Sequence, residues 1–262
     1  MLDAVPSAAA RRRPLRLGAV LAAGLVGLGL CVVLSLAVGT RPVAPGTVVS
    51  ALFGEAHGKD AIAVTGIRLP RTLVGIAVGA ALGVAGALCQ GLTRNPLASP
   101  TTLGVNAGAS LAVVVAIFGF GLRRPAEFLP FALLGACVAA AAVFGLARGA
   151  RDLNPVRLAL TGTVLAVVLG SWTSMLMLLS QRTLDEARFW LVGSLAGRDL
   201  GMLGWVAVPL GVGLVAALGS APALNALSLG DASAASLGVR VARVRVVGGA
   251  AAVLLAGSAV AV

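Results

Sequence analysis

The chain has 262 residues, of which 59% are hydrophobic and only 11% are charged, and its formal net charge is +11. Its mean hydropathy is +1.03. These values exclude a soluble enzyme with a polar surface and predict a membrane protein. The positive charge lies mainly beside apolar segments, so it is interpreted as a signal of membrane topology and no nucleic-acid partner is expected.

Seven apolar windows suit membrane-spanning helices, each of which needs about 20 residues. They are continuous runs of Ala, Leu, Val and Gly, whereas the strands of a membrane barrel alternate polar and apolar residues. The predicted fold class is therefore all-α, a polytopic transmembrane helical bundle, with a cytoplasmic N-terminal tail at 1–16 and a transmembrane domain at 17–262. The predicted spans are 17–38, 72–92, 97–121, 128–147, 158–180, 202–219 and 246–262.

The first window follows a cluster of arginines within residues 11–16, and two interpretations remain open for it. A signal peptide would have this basic start and would offer the small residues at 35–37 as a cleavage site. A retained first helix is favoured, because the window is long for a signal peptide and six more windows follow. With its N-terminus in the cytoplasm, the chain places slightly more arginine and lysine inside than outside, as the positive-inside rule requires.

Chemically reactive residues are scarce in this sequence. The one histidine, His57, and the three cysteines are scattered, so the sequence predicts no group of metal ligands. The pair Gly58-Lys59 is not a phosphate-binding loop, because Phe53 stands where that motif has its first glycine. No catalytic residue, metal or cofactor is predicted, and ATP hydrolysis is expected on a separate chain.

Polar residues and prolines interrupt the apolar pattern in the stretch CQGLTRNPLASPTTLGVNAGA at 89–109. Arg94 and Asn95 suit a turn at the membrane surface, and Asn95 is expected to cap a helix that starts at Pro96. The next helix is narrow and partly polar, so we expect it to lie inside the protein. The residues predicted to form this segment, which we call the signature turn, are Gln90, Arg94, Asn95, Pro96, Leu97, Pro100, Gly104 and Gly108.

The order of motifs around this turn resembles a known family. The string RLPRTLVGIAVGAALGVAGALCQGLTRNPLASPTTLGVNAGA at 68–109 is similar to the signature of the FecCD-type permeases, and the likeness continues in RLALTG (157–162), WLVGSL (190–195) and LNALSLGDASAASLGV (224–239). Members are the membrane subunits of ABC importers for ferric siderophores, haem and cobalamin. The resemblance implies a homodimeric permease in the cytoplasmic (inner) membrane, with an ABC ATPase subunit dimer beneath it and an extracytoplasmic substrate-binding protein above it.

The segment at 224–239 is expected to pass movement from the ATPase to the permease. Ser228 and Asp231 resemble a capping box, a helix of two turns can follow, and Gly238 suits its end. The resemblance implies coupling helices that dock into the ATPase; without it, an ordinary amphipathic loop helix explains the pattern. The residues predicted for coupling are Leu224, Asn225, Leu227, Leu229, Gly230, Asp231, Ser236, Leu237 and Gly238.

Two arginines precede the second window on the opposite side of the membrane. Arg68 and Arg71 are three residues apart, so they project from one side of a helical turn. The resemblance implies that they meet acidic residues of the substrate-binding protein. The alternative is that they anchor the helix at the membrane surface.

The fifth window carries hydroxyl and thioether side chains among its apolar residues. Hydroxyls in a helix also donate to their own backbone, so these side chains either line a path or only pack. The residues predicted to line the translocation path are Thr163, Ser171, Ser174 and Met175.

Two other classes of membrane protein remain as alternatives. A secondary transporter usually has an ionisable residue inside a span, whereas the acidic residues here lie outside the confident windows, and a non-transporting anchor would need no coupling segment. A ferric siderophore is the expected cargo, with cobalamin and haem behind it. Family members continue beyond a segment like AVLLAGSAVAV, so the end at Val262 predicts a fragment, a truncated gene product or a trimmed chain.

Overall fold

The structure is a computed structural model that describes residues 8–39, 42–54, 58–147, 155–195, 197–198 and 200–262. Over these residues the chain is helical and contains no strand, which confirms the all-α fold class. The helices are α1 (Ala8–Ala37), α2 (Pro45–Leu52), α3 (Lys59–Ile62), α4 (Leu69–Thr93), α5 (Val105–Phe120), α6 (Pro125–Ala147), α7 (Pro155–Leu179), α8 (Gln181–Leu191), α9 (Leu200–Leu227), α10 (Asp231–Ser236) and α11 (Val241–Ala261).

Six helical stretches have the length and composition to cross a membrane, which makes the chain a multi-pass membrane protein. Their apolar side chains need no polar partner in lipid, and their backbone groups are satisfied within each helix. The six stretches are Gly18–Ala37, Lys59–Thr93, Ala126–Ala147, Val156–Leu179, Leu200–Leu227 and Val241–Ala261.

The third predicted span, 97–121, is shorter in the structure. α5 has 16 residues, which is about 24 Å of helix against a hydrocarbon core of about 30 Å. Glycines with positive φ bound it on both sides, Gly104 at +72° and Gly121 at +66°. Such backbone ends a helix at low cost only where the residue has no Cβ.

Other helix bounds also differ from the prediction, and the differences are largest in α1, α4 and α9. α1 begins at Ala8, inside the predicted tail. A π-helical turn, Ala63–Arg68, joins α3 to α4, so the helix is continuous from Lys59 to Thr93 and contains the arginines that were expected to precede it. α9 continues to Leu227, beyond the predicted end at 219 and into the predicted coupling segment.

The chain divides into two compact units after Leu73, inside α4. In residues 1–73, α1, α2 and the π-helical turn surround a small apolar core. The hydroxyls of Ser35 and Thr72 form a hydrogen bond of 2.7 Å in this unit. The buried core residues are Leu36, Val43, Val48, Ala51, Ala61 and Val64.

In residues 74–262, α5 packs against α6, α7 and α11, and α9 packs against α11. Gly108 of α5 faces Gly135 of α6 so closely that a Cβ added to Gly108 would overlap the Gly135 carbonyl. Membrane helices approach most closely where both carry small residues. The predicted signature residue Gly108 therefore lies at a tight crossing of two helices.

Candidate functional site

The signature turn begins where α4 ends. Arg94 follows the last α4 residue and has φ +52°, the only positive φ of a non-glycine residue in the described part of the chain. The Asn95 Oδ1 atom accepts the Leu97 amide at 2.9 Å, and the Asn95 carbonyl accepts the Ala98 amide at 3.1 Å. Asn95 thus closes a turn. The prediction that it caps a helix starting at Pro96 is wrong.

A one-turn 3-10 helix, Pro100–Leu103, completes the signature turn, and Gly104 separates it from α5. Pro100 suits this start because its fixed φ is helical and its nitrogen donates no hydrogen bond. A Cβ added to Gly162 of α7 would overlap the Thr102 carbonyl. The glycine that ends the RLALTG motif therefore lets α7 pack directly on the signature turn.

The predicted coupling segment, 224–239, consists of the end of α9, a turn and the short helix α10. The predicted capping box is wrong. The Ser228 hydroxyl donates to the Asn225 carbonyl at 2.6 Å, so it is used at the end of α9. Gly230, with φ +104°, occupies the N-cap position of α10 and carries no side chain to cap it.

The end of α10 lies where the sequence predicts it. Gly238 has φ +82°, its amide donates to Ala235 at 2.9 Å, and the Val239 amide donates to Ala234 at 3.0 Å. These two bonds form a Schellman motif, which needs a left-handed residue at this point. α10 is therefore a short helix with a defined end at each side.

Two large apolar side chains flank α10 and face away from the protein. Leu229 is 66% exposed and Leu237 is 65% exposed, whereas Ala234 between them is fully buried. Leu227, at the end of α9, is also buried. The coupling segment thus has buried apolar residues that pack against the rest of the protein and exposed apolar residues on its outer surface.

Asp231, the first residue of α10, is held between two arginines from other elements. Its Oδ1 accepts a hydrogen bond from Arg94 Nη2 at 2.9 Å, and its Oδ2 accepts one from Arg245 Nη2 at 2.8 Å. Arg94 belongs to the signature turn and Arg245 to α11, so one carboxylate joins three elements. We call Arg94, Asp231 and Arg245 the ion triad.

Sequence analysis did not predict the ion triad, although it selected two of its members. Arg94 and Asp231 are 137 residues apart, and no spacing rule connects residues at that separation. Arg245 was considered only as one of the positive charges that indicate membrane topology. A carboxylate at the start of a loop helix, with arginines at the ends of two neighbouring helices, is the signal that points to such a cluster.

A cleft of about 580 Å³ separates the last turns of α4 from those of α9. Gln90 and Arg94 line it from α4, and Leu224 and Asn225 line it from α9. The predicted residue Gln90 therefore lies beside the coupling segment. At this end the ion triad joins the signature turn, which follows α4, to α10, which follows α9, and the cleft lies beside Arg94.

Arg68 and Arg71 have different environments. Arg68 Nη1 donates to the carbonyls of Leu36 and Ala37 at 2.7 and 3.0 Å. These are the last residues of α1, where carbonyls lack partners within the helix and a cation is favourable. Arg71 is exposed. Arg68 is thus bonded to α1 and Arg71 is not buried, and a role of the two arginines in docking stays a prediction.

The predicted path residues lie on α7. Thr163 and Ser171 each donate to a carbonyl four residues earlier at 2.9 Å, so their hydroxyls bond to their own helix. Ser174 and Met175 line an open cleft of about 680 Å³ along the exposed face of α7, together with Ser171. A role in translocation remains a prediction for these residues.

A charged cleft of about 720 Å³ lies at the far end of α5 from the signature turn. Arg123, Arg182 and Arg198 contribute to its lining, together with the carboxylates of Asp185 and Glu186. The Arg198 Nε is buried and has no hydrogen-bond partner among the described residues. Burial lowers the pKa of Arg198 from its ordinary value.

Metal-binding chemistry is not evident in the described ranges, where no three His, Cys, Asp or Glu side chains are grouped. His57 lies outside the described residues. Cys31 is exposed, Cys89 is buried and Cys137 is partly buried, all as free thiols. The features that the structure does bring together are a short exposed helix, a tight turn and the arginines that join them.

These features define a class of protein: a multi-pass helical membrane protein with a short exposed helix attached to its spanning helices. The comparison with known sequences agrees. The model of the FecCD transport family matches residues 27–262, and the chain belongs to this family.

Two curated relatives from Escherichia coli are similar over most of the chain. The ferric enterobactin transport system permease protein FepD is 45% identical over 239 residues, which cover 91% of this chain and 72% of FepD. The Fe(3+) dicitrate transport system permease protein FecD is 40% identical over 221 residues, which cover 84% of this chain and 68% of FecD. This chain is accordingly a transport permease.

A solved structure shows the same architecture. An inward-facing metal-chelate type ABC transporter matches with a TM-score of 0.74 and 27% sequence identity, over 93% of this chain and 75% of the solved chain. The similarity extends over the spanning helices and the connections between them. The family assignment and the fold thus agree.

Proposed function

We propose that this chain is the membrane-spanning permease subunit of a binding-protein-dependent ABC importer for a ferric siderophore. ATP hydrolysis takes place on a separate ATPase subunit dimer. The observation that supports this most directly is α10, a short helix with defined ends that presents Leu229 and Leu237 outward. An ATPase that closes against such a helix can displace it as a rigid lever.

The cargo follows from the relatives. FepD and FecD are named for ferric enterobactin and Fe(3+) dicitrate, both of which are chelates of iron(III). Among such cargoes a ferric siderophore is proposed here, because FepD has the higher identity of the two. Haem and cobalamin remain as outcomes of the experiment below.

Partners and topology complete the proposal. The N-terminus and α10 lie on the cytoplasmic side of the inner membrane, and Arg71 faces the extracytoplasmic binding protein, with Arg68 holding α1 beside it.

A second copy of the permease covers the exposed apolar face of α7, where Val164, Trp172 and Leu178 are 58%, 64% and 84% exposed. Such a face is compatible with lipid or with a second copy.

A secondary transporter is less well supported. Ion-coupled carriers place carboxylates within their spans. In the described part of the chain, Asp60 and Glu127 lie near helix starts, Asp185 and Glu186 lie on the short helix α8, and Asp231 begins α10. None of these positions is at the middle of a spanning helix.

The experiment compares uptake in cells that lack the gene and in cells that express the chain with its own ATPase and binding protein. The cells receive iron-55 bound to a catecholate, a hydroxamate or citrate, labelled haem, or labelled cobalamin. We expect uptake of one or more ferric siderophores to require both the permease and an active ATPase. Uptake that persists with an inactive ATPase would support a secondary transporter, and uptake that is unchanged without the permease would exclude the proposed role.

A further inference from the structure

The ion triad has a geometry that a simple surface ion pair does not require. Each oxygen of the Asp231 carboxylate accepts from a different arginine, at 2.9 Å from Arg94 and 2.8 Å from Arg245. The side chains of Arg94 and Asp231 are 41% and 42% exposed, whereas that of Arg245 is only 12% exposed. The triad therefore extends from the surface at α10 into the base of α11.

The backbone at Arg94 has a conformation that favours glycine. Its φ is +52°, a value that is uncommon for residues with a Cβ and that glycine adopts at no such cost. A glycine would end α4 equally well but would have no side chain to reach Asp231. The backbone cost at Arg94 is thus associated with the bond that its guanidinium makes.

The backbone next to Asp231 also has a positive φ. Gly230, which precedes Asp231, has φ +104°, and a Cβ added there would lie 3.8 Å from Arg94 Nη1. The chain therefore turns sharply beside the guanidinium just before the carboxylate. Both residues of the Arg94–Asp231 pair lie in or next to backbone with positive φ.

The ends of α4 and α9 approach each other at Gly91, where an added Cβ would lie 3.7 Å from the Leu224 side chain. The cleft of about 580 Å³ separates the ends of α4 and α9 directly beside Arg94. A displacement of α10 can pass to α9 and α11 through the chain itself, because α10 lies between them in sequence. The end of α4 has no such covalent connection, so the bond from Asp231 to Arg94 is its direct polar link to α10.

We propose that Asp231 is a positioning residue that, through Arg94 and Arg245, makes α10, the signature turn and the base of α11 move as one body. The inference rests on the proposed function, since it concerns how force from the ATPase reaches the spanning helices. The Arg94–Asp231 pair adds little to the stability of the fold, because both side chains are about two-fifths exposed and such pairs are well solvated. Its role is to fix the geometry of the connection.

The experiment measures imported cargo per ATP hydrolysed, with the full importer in proteoliposomes. The variants are Arg94→Gln, Asp231→Asn and the double variant, with Arg94→Lys as the conservative replacement. Arg243→Gln is the matched control, because it removes the same charge from an exposed position on α11, two residues from Arg245.

We expect each single variant to lower the ratio by about fivefold or more, which is a common size for coupling between residues in contact. The double variant should be no worse than Asp231→Asn alone, because Asp231→Asn already removes the ion pair with Arg94. Arg94→Lys should recover part of the ratio, and Arg243→Gln should leave it unchanged. Thermal unfolding in detergent should be similar for the unmodified chain, the single Arg94 variants and Arg243→Gln.

Three results would overturn the proposal. These are a normal ratio in folded Arg94→Gln, effects that add in the double variant, or loss of ATPase binding in Arg94→Gln, which would make Arg94 a docking residue. Failure of the proposed function is distinguishable, because the unmodified importer would then show no ATP-dependent uptake at all.

Discussion

The two ends of α4 each carry arginine, and the structure uses them differently. At the N-terminal end, Arg68 donates to the last carbonyls of α1 and Arg71 is exposed. At the C-terminal end, Arg94 has left-handed backbone and bonds to the Asp231 carboxylate. At the N-terminal end, Arg68 thus bonds to neutral carbonyls and the charge of Arg71 is exposed. At the C-terminal end, Arg94 forms an ion pair.

The difference shows that residue type alone does not assign a role. The sequence suggests that Arg68 and Arg71 act together, because they are three residues apart, but one of them is already bonded to α1. It gives no reason to pair Arg94 with a partner, although Arg94 has one. The exposed Arg71 agrees with the proposed docking of a partner at one end of α4, and the paired Arg94 agrees with the proposed transmission of movement at the other end.

The largest expected effect concerns the turn that fixes the C-terminal end of α4. Gly162→Ala would place a Cβ into the Thr102 carbonyl, and we expect a loss of about 3 kcal/mol in stability, as in other overpacked sites. The measurement is thermal unfolding in detergent.

Gly170→Ala on the same helix is the control, because a Cβ there meets nothing within 4 Å. Equal stability of the two variants would show that the signature turn can move away from α7 at little cost. The C-terminal end of α4 would then not be held more firmly than its N-terminal end.

A smaller effect is expected at the N-terminal end. Arg71→Glu should weaken the association of the binding protein about tenfold at low ionic strength and reduce its salt dependence, because an exposed cation is replaced by an anion. The affinity of the purified binding protein for the permease is the measurement.

Arg68→Gln sharpens the comparison at the same end. It should lower stability by about 1 kcal/mol through the lost bonds to α1, with less effect on docking than Arg71→Glu. If Arg68→Gln impairs docking as strongly as Arg71→Glu while the fold stays intact, the two arginines form one docking surface after all.

The smallest effect is expected from Asn95→Ala, which removes the bond from Asn95 to the Leu97 amide. The loss should be about 0.5 kcal/mol, because the turn also has the backbone bond to Ala98. Unfolding in detergent measures it against Asn106→Ala, an exposed position on α5. A loss as large as that of Gly162→Ala would mean that the side chain of Asn95, and not packing on α7, holds the turn.

Much of the fold is predictable from the sequence because hydrophobic length alone identifies spanning helices. The all-α class and the end of α10 at Gly238 are examples, the latter because a glycine after a short polar helix is a common stop signal. The 16-residue length of α5 was not predicted, since its apolar window continues through residues whose backbone is set by Pro100 and Gly104.

The site is less predictable than the fold. Signature residues such as Asn95 and Gly108 are recognisable from their order. Asn95 bonds locally to the Leu97 amide, whereas the close contact of Gly108 depends on Gly135 of another helix. Arg245 was missed because its carboxylate partner lies on another element, and tertiary pairing of that kind has no period in the sequence.

The π-helical turn at Ala63–Arg68 has a consequence for comparing relatives. A π turn accommodates about one residue more than an α turn, so the helix faces before and after it are offset by about 100°, the rotation of one residue. A relative with an unbroken α-helix here would align with a one-residue gap. Without that gap, an alignment that is correct for α4 would shift the positions of α3, such as the buried Ala61, by one residue, and an alignment that is correct for α3 would shift Arg71 instead.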